Sequence, residues 1–241
     1  MTEVIPAIIP ESFEDLKDKM AQVKGLTNLV QVDVCDGKFV PSTCWPYLGD
    51  TNGDFQLMIT NESEGFPFWE DMDFEVDLMV ANPESGKAED FITVGAKRII
   101  LHVESSEKML DFVKDLRKKY GYVNDSVASI EIGIGISIDT DNSVLDEYLV
   151  ADESGRSLAD FVQFMGIRKI GYQHQEFDEE VLEKISQLRK KYPEIIISID
   201  GGVNFENAHD LVEAGVNRLV SGSTLYNSDD IAEAIEEMKY S

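Results

Sequence analysis

Two aspartates of this 241-residue chain stand at the ends of apolar stretches that pass directly into glycine-containing loops. The stretch Leu29–Val34 carries Asp33 and is followed by an Asp-Gly pair, and Ile195–Asp200 ends on Asp200 before a Gly-Gly pair. A buried parallel strand reads as a nearly continuous apolar run, and loops held by such strands commonly carry catalytic residues. Two such carboxylates could act as a general base and a general acid.

Gln31 shares a strand face with Asp33, because successive side chains of a strand point to opposite sides. Val30, Val32 and Val34 share the other face. In a closed barrel one face meets the covering helices and the other lines the interior. The valines suit the helices, so Gln31 and Asp33 are predicted to point into the mouth of a barrel.

Eight apolar segments alternate with helical patterns, which predicts repeated β-α units around a parallel sheet. The predicted strands are Val4–Ile9, Leu29–Val34, Phe74–Val80, Arg98–Val103, Ile130–Ile138, Phe161–Gly166, Ile195–Asp200 and Arg218–Ser221. The predicted helices are Ser12–Val23, Ser106–Tyr120, Asp178–Lys191, Asn204–Ala214 and Ser228–Lys239, with Ser12 and Ser228 as N-caps. Since one barrel of this kind takes about 250 residues, we predict a single α/β domain over residues 1–241, a (β/α)8 TIM barrel.

Two regions carry more specific expectations. In the fifth predicted strand isoleucines occupy one face and Gly133, Gly135 and Ser137 the other, which we interpret as room for a ligand inside the barrel mouth. The region 42–73 lacks a helical pattern where a second helix should follow the second strand. Its Asn52-Gly53 pair before the apolar Phe55–Thr60 run predicts an atypical loop or hairpin insertion, a candidate lid or subunit contact.

Composition limits the classes of partner. With 47 acidic and 21 basic residues the net charge is −26, so the chain should repel nucleic acid and anionic membranes. We see no signal peptide and no apolar run long enough to span a bilayer. Two cysteines are too few for a disulfide framework or a thiolate metal cluster. We therefore predict a cytoplasmic protein with a small-molecule partner.

Six motifs resemble those of ribulose-phosphate 3-epimerases, in order and over nearly the whole chain. They are Ile5–Ile9 (P-S-I-L in the family), Gln31–Pro41 (H-V-D-V-M-D-G-x-F-V-P), Val76–Pro83 (V-H-L-M-V-x-N-P), Leu101–Glu104 (V-H-x-E), Ile199–Val203 (V-D-G-G-I) and Val220–Ser223 (V-A-G-S). The resemblance implies a barrel of the ribulose-phosphate-binding type. It lapses in the region 42–73.

The resemblance also implies an activity: an isomerase of pentose phosphate metabolism that inverts C3 of a sugar phosphate through an enediolate. Two acid/base groups on opposite faces of the substrate carry the proton, and in the family they are two aspartates that match Asp33 and Asp200. A lone strand-end aspartate is more often a helix cap or loop former. Two aspartates that are each followed by a glycine within a few residues, and that both match the family, favour the catalytic interpretation.

The family's metal site is altered in this chain. The family usually binds zinc or iron through two histidines and the two aspartates, and the histidines are replaced here by Gln31 and Asp77. Zinc favours nitrogen and sulfur ligands, whereas the remaining set of Gln31, Asp33, Asp77 and Asp200 offers only oxygens and suits Mg²⁺ or Mn²⁺. Either such a metal is bound or the metal has been lost. His102 is interpreted as a hydrogen-bonded core residue.

Phosphate and substrate binding is implied by the glycines after the last strands, which in such barrels hold phosphate on backbone N–H groups. The family's G-F-G-G-Q loop is rebuilt here as Gly171-Tyr172-Gln173-His174-Gln175, with Arg168 and Lys169 just before it. We expect Arg168, Lys169 or His174 to meet an anion, or an altered surface loop. The substrate-binding residues predicted from the resemblance are Gly171, His174, Gly201, Gly202, Gly222, Ser223, Met79 and Met165, in a homo-oligomer.

Other functions stay open at this point. The same barrel could carry another sugar-phosphate lyase or isomerase, although the D-x-K-x-x-D run of the related decarboxylases is missing. A non-catalytic barrel that binds a phosphorylated ligand is favoured by the replaced histidines and by Ala7, where the family has serine.

Overall fold

The computed structural model describes residues 2–49, 53–61, 65–123, 125, 129–172 and 175–240. Within them, eight parallel strands close into a barrel in chain order, so the predicted (β/α)8 TIM barrel is confirmed. The strands are β1 Glu3–Ile8, β2 Leu29–Cys35, β3 Asp73–Met79, β4 Arg98–His102, β5 Glu131–Ile136, β6 Phe161–Met165, β7 Ile196–Asp200 and β8 Arg218–Ser221. Each lies within two residues of its predicted start, as expected for buried strands with a strong apolar signal.

Helices cover the outside of the barrel. In the described part of the chain the α-helices are α1 Phe13–Val23, α2 Gly53–Asn61, α3 Lys87–Thr93, α4 Met109–Tyr120, α5 Asp146–Leu149, α6 Glu180–Lys191, α7 Ala208–Ala214, α8 Ser223–Tyr226 and α9 Ile231–Lys239. Short 3₁₀ helices occupy Pro83–Ser85, Val103–Ser105 and Asn142–Leu145. None of the described helices combines the length and the apolar character that crossing a membrane requires.

The helix starts follow local capping chemistry. Ser12 caps α1 as predicted, because its Oγ accepts a hydrogen bond from the backbone N–H of Asp15 at 3.1 Å. The predicted cap of the last helix, Ser228, is wrong: Asp230 caps α9 by accepting from the N–H groups of Ala232 and Glu233. Aspartate is as good an N-cap as serine.

The expected hairpin in the region 42–73 is replaced by helix α2. Phe55 and Met58, three residues apart and both buried, place one face of this helix on the core. The ring of Phe55 lies 4.7 Å from that of Phe91 on α3. The sequence of this short apolar run is compatible with a strand or a helix, and its packing on the core decides in favour of the helix. The preceding Asn52 lies outside the described residues.

Trp45 anchors the segment between β2 and α2. It is fully buried, and the rings of Phe13, Phe55 and Phe66 lie 5.6, 5.4 and 6.2 Å from its own.

We expect Trp45→Ala to lower the free energy of unfolding by about 3–5 kcal/mol, because truncating a buried aromatic side chain leaves a cavity. Urea unfolding measures this. Trp69, which is 65% exposed, is the matched control: Trp69→Ala should change it by about 0.5 kcal/mol at most. Equal effects of the two variants would contradict the expectation.

The inward glycines of β5 accommodate protein side chains. A Cβ added to Gly133 would lie 2.3 Å from Cζ of Phe161, and one added to Gly135 would lie 3.0 Å from Nδ1 of His102. The interpretation of these glycines as room for a ligand is therefore wrong. Gly135 instead lets the imidazole of His102 lie against the β5 backbone.

The opposite end of the barrel is closed by an ionic layer. Arg98 contacts Glu75 at 3.2 Å and Glu131 at 3.0 Å, and Arg218 contacts Glu3 at 3.0 Å and Glu131 at 3.3 Å. These side chains plug the interior below the strands' carboxyl ends. A ligand of the barrel must therefore enter at the carboxyl-terminal mouth, where active sites of this fold lie.

Candidate active site

Three carboxylates meet inside the mouth of the barrel. Asp33 of β2, Asp77 of β3 and Asp200 of β7 each offer an oxygen, and these oxygens all lie within 4.8 Å of one another. Asp33 and Asp77 are direct partners in the register of β2 and β3, so both point inward at the same height. All three residues are buried.

Gln31 links two of these carboxylates. Its Nε2 donates a hydrogen bond to Oδ1 of Asp33 at 2.7 Å and another to Oδ2 of Asp200 at 2.9 Å. Its Oε1 is buried and has no hydrogen-bond partner among the described residues. The structure therefore brings together all four residues that were predicted to converge, and it leaves one acceptor oxygen of Gln31 still available.

Burial and mutual repulsion hold a proton at this site. Burial first, and then the charge of Asp77, raise the pKa of Asp200 to about 7, although the hydrogen bond from Gln31 opposes the shift. The pKa of Asp33 is raised for the same reasons, by burial and then by the charges of Asp200 and Asp77. Carboxylates this close ionise together only at a high cost, so a carboxylic acid and a carboxylate can coexist here near neutral pH.

Asp77 is held from two sides by neutral or cationic donors. Nε2 of His102 lies 2.7 Å from its Oδ1, and Nε2 of Gln163 donates to its Oδ2 at 3.2 Å. Behind them, the hydroxyl of Ser198 donates to Oε1 of Gln163 at 3.2 Å. Burial alone would lower the pKa of His102, but the charge and hydrogen bond of Asp77 raise it above its ordinary value.

A cavity of about 170 Å³ opens above this cluster. Asp33 and Asp200 line it, whereas Gln31 and Asp77 lie below its surface and are fully buried. Most of the residues predicted to bind substrate also line it: Met79, Met165, Gly171, Gly201, Gly202, Gly222 and Ser223. The remaining one, His174, lies outside the described residues.

One glycine on the rim meets a strict backbone requirement. Gly202 has a φ of +71°, and a Cβ on it would lie 2.9 Å from Cα of Phe177. Any other residue would be strained and would displace the loop after β6. The absence of a side chain at Gly202 therefore lets the loop after β7 pass close to Phe177 beside the cavity.

Arg168 is committed to other partners. Its guanidinium forms ion pairs with Asp139, with Asp178 at 2.6 Å and with Glu180 at 2.6 Å. It is not among the residues that line the cavity described above. The expectation that Arg168 meets a substrate anion there is therefore not met.

Sequence reasoning missed several residues of the site. Tyr172, Gln175, Asn204 and Thr224 line the cavity, and Gln163 and Ser198 lie beneath it. The inward positions of β6 and β7 follow from strand alternation, so a polar residue flanked by apolar ones, as in Phe161–Met165, was an available signal.

Comparison with known proteins assigns the family. A family model described as the Ribulose-phosphate 3 epimerase family matches residues 3–226. The chain belongs to this family. Ribulose-5-phosphate-3-epimerase, chloroplastic, of Arabidopsis thaliana is 30% identical over 248 residues, covering 99% of this chain and 76% of that protein. Ribulose-phosphate 3-epimerase of Bacillus subtilis is 27% identical and covers 99% of both.

A solved structure confirms the fold of this ribulose-phosphate 3-epimerase family member. The crystal structure of 3-hexulose-6-phosphate synthase from Salmonella typhimurium is similar to this chain, with a TM-score of 0.65. The matched region covers 100% of this chain and 97% of that chain. At 11% identity this likeness shows the barrel alone. The chemistry must be argued from the site of this chain.

The oxygen-rich cluster of this family member could hold a metal ion. Three buried carboxylates within 4.8 Å of one another supply acceptors, and the unpartnered Oε1 of Gln31 is a further one. Such a donor set fits a hard divalent cation such as Mg²⁺ or Mn²⁺ better than zinc.

Proposed function

We propose that this chain is a sugar-phosphate 3-epimerase in which Asp33 and Asp200 carry the proton. The supporting observation is that these two carboxylates line one cavity, share the Gln31 amide and have raised pKa values. Acid/base catalysts are most effective when their pKa lies near the operating pH. One ionised and one protonated carboxyl group is the starting state that epimerisation needs.

The reaction is a balanced proton exchange. The ionised aspartate removes the proton from C3, next to the ketone, and the electron pair of the broken C–H bond moves into an enediolate. The protonated aspartate then delivers its proton to C3 from the opposite face, which inverts the carbon. The two residues thereby exchange protonation states, and the next turnover runs in the other sense or follows proton exchange with solvent.

The enediolate needs stabilisation of its developing negative charge. Asp33, Asp77, Asp200 and Gln31 would hold a divalent cation, which when bound would neutralise charge on the substrate oxygens. The protein's own contribution is burial, which strengthens every hydrogen bond in the site, and the Gln31 amide, whose N–H groups hold the carboxylates of Asp33 and Asp200 in place.

We propose that the phosphate binds at the rim after β7 and β8. Gly202, Gly222 and Ser223 line the cavity, and Asn204 lines it beside them. Backbone N–H groups bind phosphate without adding a positive side chain. In a chain with a net charge of −26, this local site must outweigh a general repulsion. Ribulose 5-phosphate is therefore the first substrate to test.

Solvent exchange tests the function. Ribulose 5-phosphate is incubated with the protein in heavy water, with and without Mg²⁺ or Mn²⁺, and deuterium at C3 and the appearance of the epimer are followed by NMR. Ribulose without phosphate is the control and should react far more slowly. If neither exchange nor inversion occurs with this or other ketose phosphates under any metal, the enzyme proposal fails and a ligand-binding barrel takes its place.

The identity of a bound metal is a separate expectation. Because both expected imidazole ligands are replaced by Gln31 and Asp77, we expect any metal in the purified protein to be magnesium, manganese or another oxygen-preferring ion. Elemental analysis after dialysis against metal-free buffer measures it. Stoichiometric zinc would contradict the expectation. A cytoplasmic location and a homo-oligomeric state stay predictions from the sequence.

A further inference from the structure

We propose that His102 and Gln163 are positioning residues that fix the carboxylate of Asp77 beneath the two proton-carrying aspartates. The inference rests on the proposed function and adds residues of β4 and β6 to it. Neither residue contacts the cavity, so neither is proposed to touch substrate.

The first argument is the geometry at Asp77. Its two oxygens each receive one donor from a different strand, His102 at 2.7 Å on one side and Gln163 at 3.2 Å on the other. A single hydrogen bond leaves a carboxylate free to rotate about its last bond, whereas a donor on each oxygen fixes its plane. The position of Asp77 relative to Asp33 and Asp200 is thereby set.

The second argument is that both donors are themselves held in place. Ser198 donates to Oε1 of Gln163 at 3.2 Å, so the amide is oriented with its nitrogen toward Asp77. The ring of His102 lies against Gly135, where a Cβ would approach to 3.0 Å, and 5.4 Å from the ring of Phe39.

The third argument is burial. Asp77, His102, Gln163 and Ser198 have no exposed surface. A buried carboxylate without partners is too costly to keep, and water does not reach this one from the surface. An aspartate at position 77, where the resemblance implies a histidine, is sustained here because the neighbouring strand supplies an imidazole and β6 supplies an amide.

The test measures kcat and KM of C3 inversion in paired variants. His102→Phe and Gln163→Met remove one donor each while filling the space, and His102→Gln restores an N–H donor. Because a misplacement of about 1 Å in an active site costs on the order of 10²-fold, we expect kcat to fall by about that factor in the first two. KM should stay nearly unchanged, because the phosphate rim is untouched, and His102→Gln should recover most of the loss.

Two further variants separate positioning from general damage. Gly135→Ala alters no polar group but presses on the His102 ring, and we expect it to lower kcat in the same way. His209→Gln, on the exposed face of α7, is the matched control and should behave as the unaltered protein. If His102→Phe does not fold, Gln163→Met and Ser198→Ala carry the test. The proposal would be overturned if kcat were unchanged in the variants that alter His102, Gln163, Ser198 or Gly135. It would also be overturned if KM rose equally in all of these variants.

A crystal structure of each variant gives a readout that does not need turnover. We expect the Asp77 carboxylate to rotate or shift in His102→Phe and to return to its place in His102→Gln. An unmoved carboxylate in folded His102→Phe overturns the positioning role even in a protein without epimerase activity. If the unaltered protein has no epimerase activity but the Asp77 carboxylate is displaced in His102→Phe, only the proposed function is refuted and the positioning role stands.

Discussion

Asp33→Asn and Asp200→Asn are each expected to abolish net inversion at C3, with a loss on the order of 10²–10⁴ in rate. Each face of the substrate needs its own proton carrier, and both side chains line the cavity. Asparagine keeps the size of aspartate and one acceptor oxygen but can neither accept nor deliver the proton. NMR or a coupled assay of the product epimer measures inversion.

Deuterium exchange distinguishes this mechanism from general damage to the site. A variant with one aspartate left can still remove and return a proton on its own face. It should therefore wash solvent deuterium into C3 without inverting the carbon, on whichever epimer presents its proton to that face. Asp111→Asn is a matched control, since the Asp111 side chain is 85% exposed, and it should leave both rates unchanged. Inversion that persists in either Asp33→Asn or Asp200→Asn would refute the two-carboxylate mechanism.

Much of this site could be predicted because it depends on strand alternation. A buried parallel strand can be recognised by its continuous apolar run. Because side chains alternate between the two faces of a strand, the sequence then indicates which of them point inward. Gln31 and Asp33 follow from this rule alone, whereas Asp200 was found at the end of another apolar stretch and Asp77 through the resemblance to the epimerase family. The carboxyl ends of all strands in such a barrel lie at one face. The convergence of these four side chains was therefore predictable.

Contacts across the barrel interior could not be predicted in the same way. The contact of His102 with Asp77 depends on the stagger between β3 and β4 and on the missing side chain of Gly135. Strand alternation gives the facing of each residue but not which inward neighbours touch. The prediction of space for a ligand beside β5 was wrong for that reason, because the side chains of Phe161 and His102 fill this space.

Helix α2 and the ion pairs of Arg168 were missed for a different reason. The run after Gly53 is too short for its periodicity to separate helix from strand, and its packing on Phe91 and Trp45 decides the outcome. The sequence near Arg168 shows a basic residue, but its three acidic partners come from two loops and a helix. Long-range neighbours of this kind carry no local signal.

The raised pKa values at the site imply a stability cost at neutral and alkaline pH. Asp200 has a pKa of about 7 in the fold against an ordinary value of 3.8, and the shift of Asp33 has the same direction. The folded state therefore binds these protons more tightly than the unfolded chain. Their contribution to the free energy of unfolding is fully present below about pH 4 and is lost as the pH rises through about 7.

We therefore expect Asp200→Asn to be more stable than the unaltered protein at pH 8, by an amount on the order of a few kcal/mol, while it loses epimerase activity. The advantage should shrink toward pH 5, because Asp200 is then mostly protonated in the fold and no longer pays for ionisation. Urea unfolding at both pH values measures it, and Asp111→Asn should show no such pH-dependent difference. Added Mg²⁺ should narrow the gap at pH 8, since a cation bound to the ionised carboxylates stabilises only the protein that has them all. If Asp200→Asn is no more stable at pH 8 than the unaltered protein, Asp200 ionises in the fold without cost and its pKa is not raised.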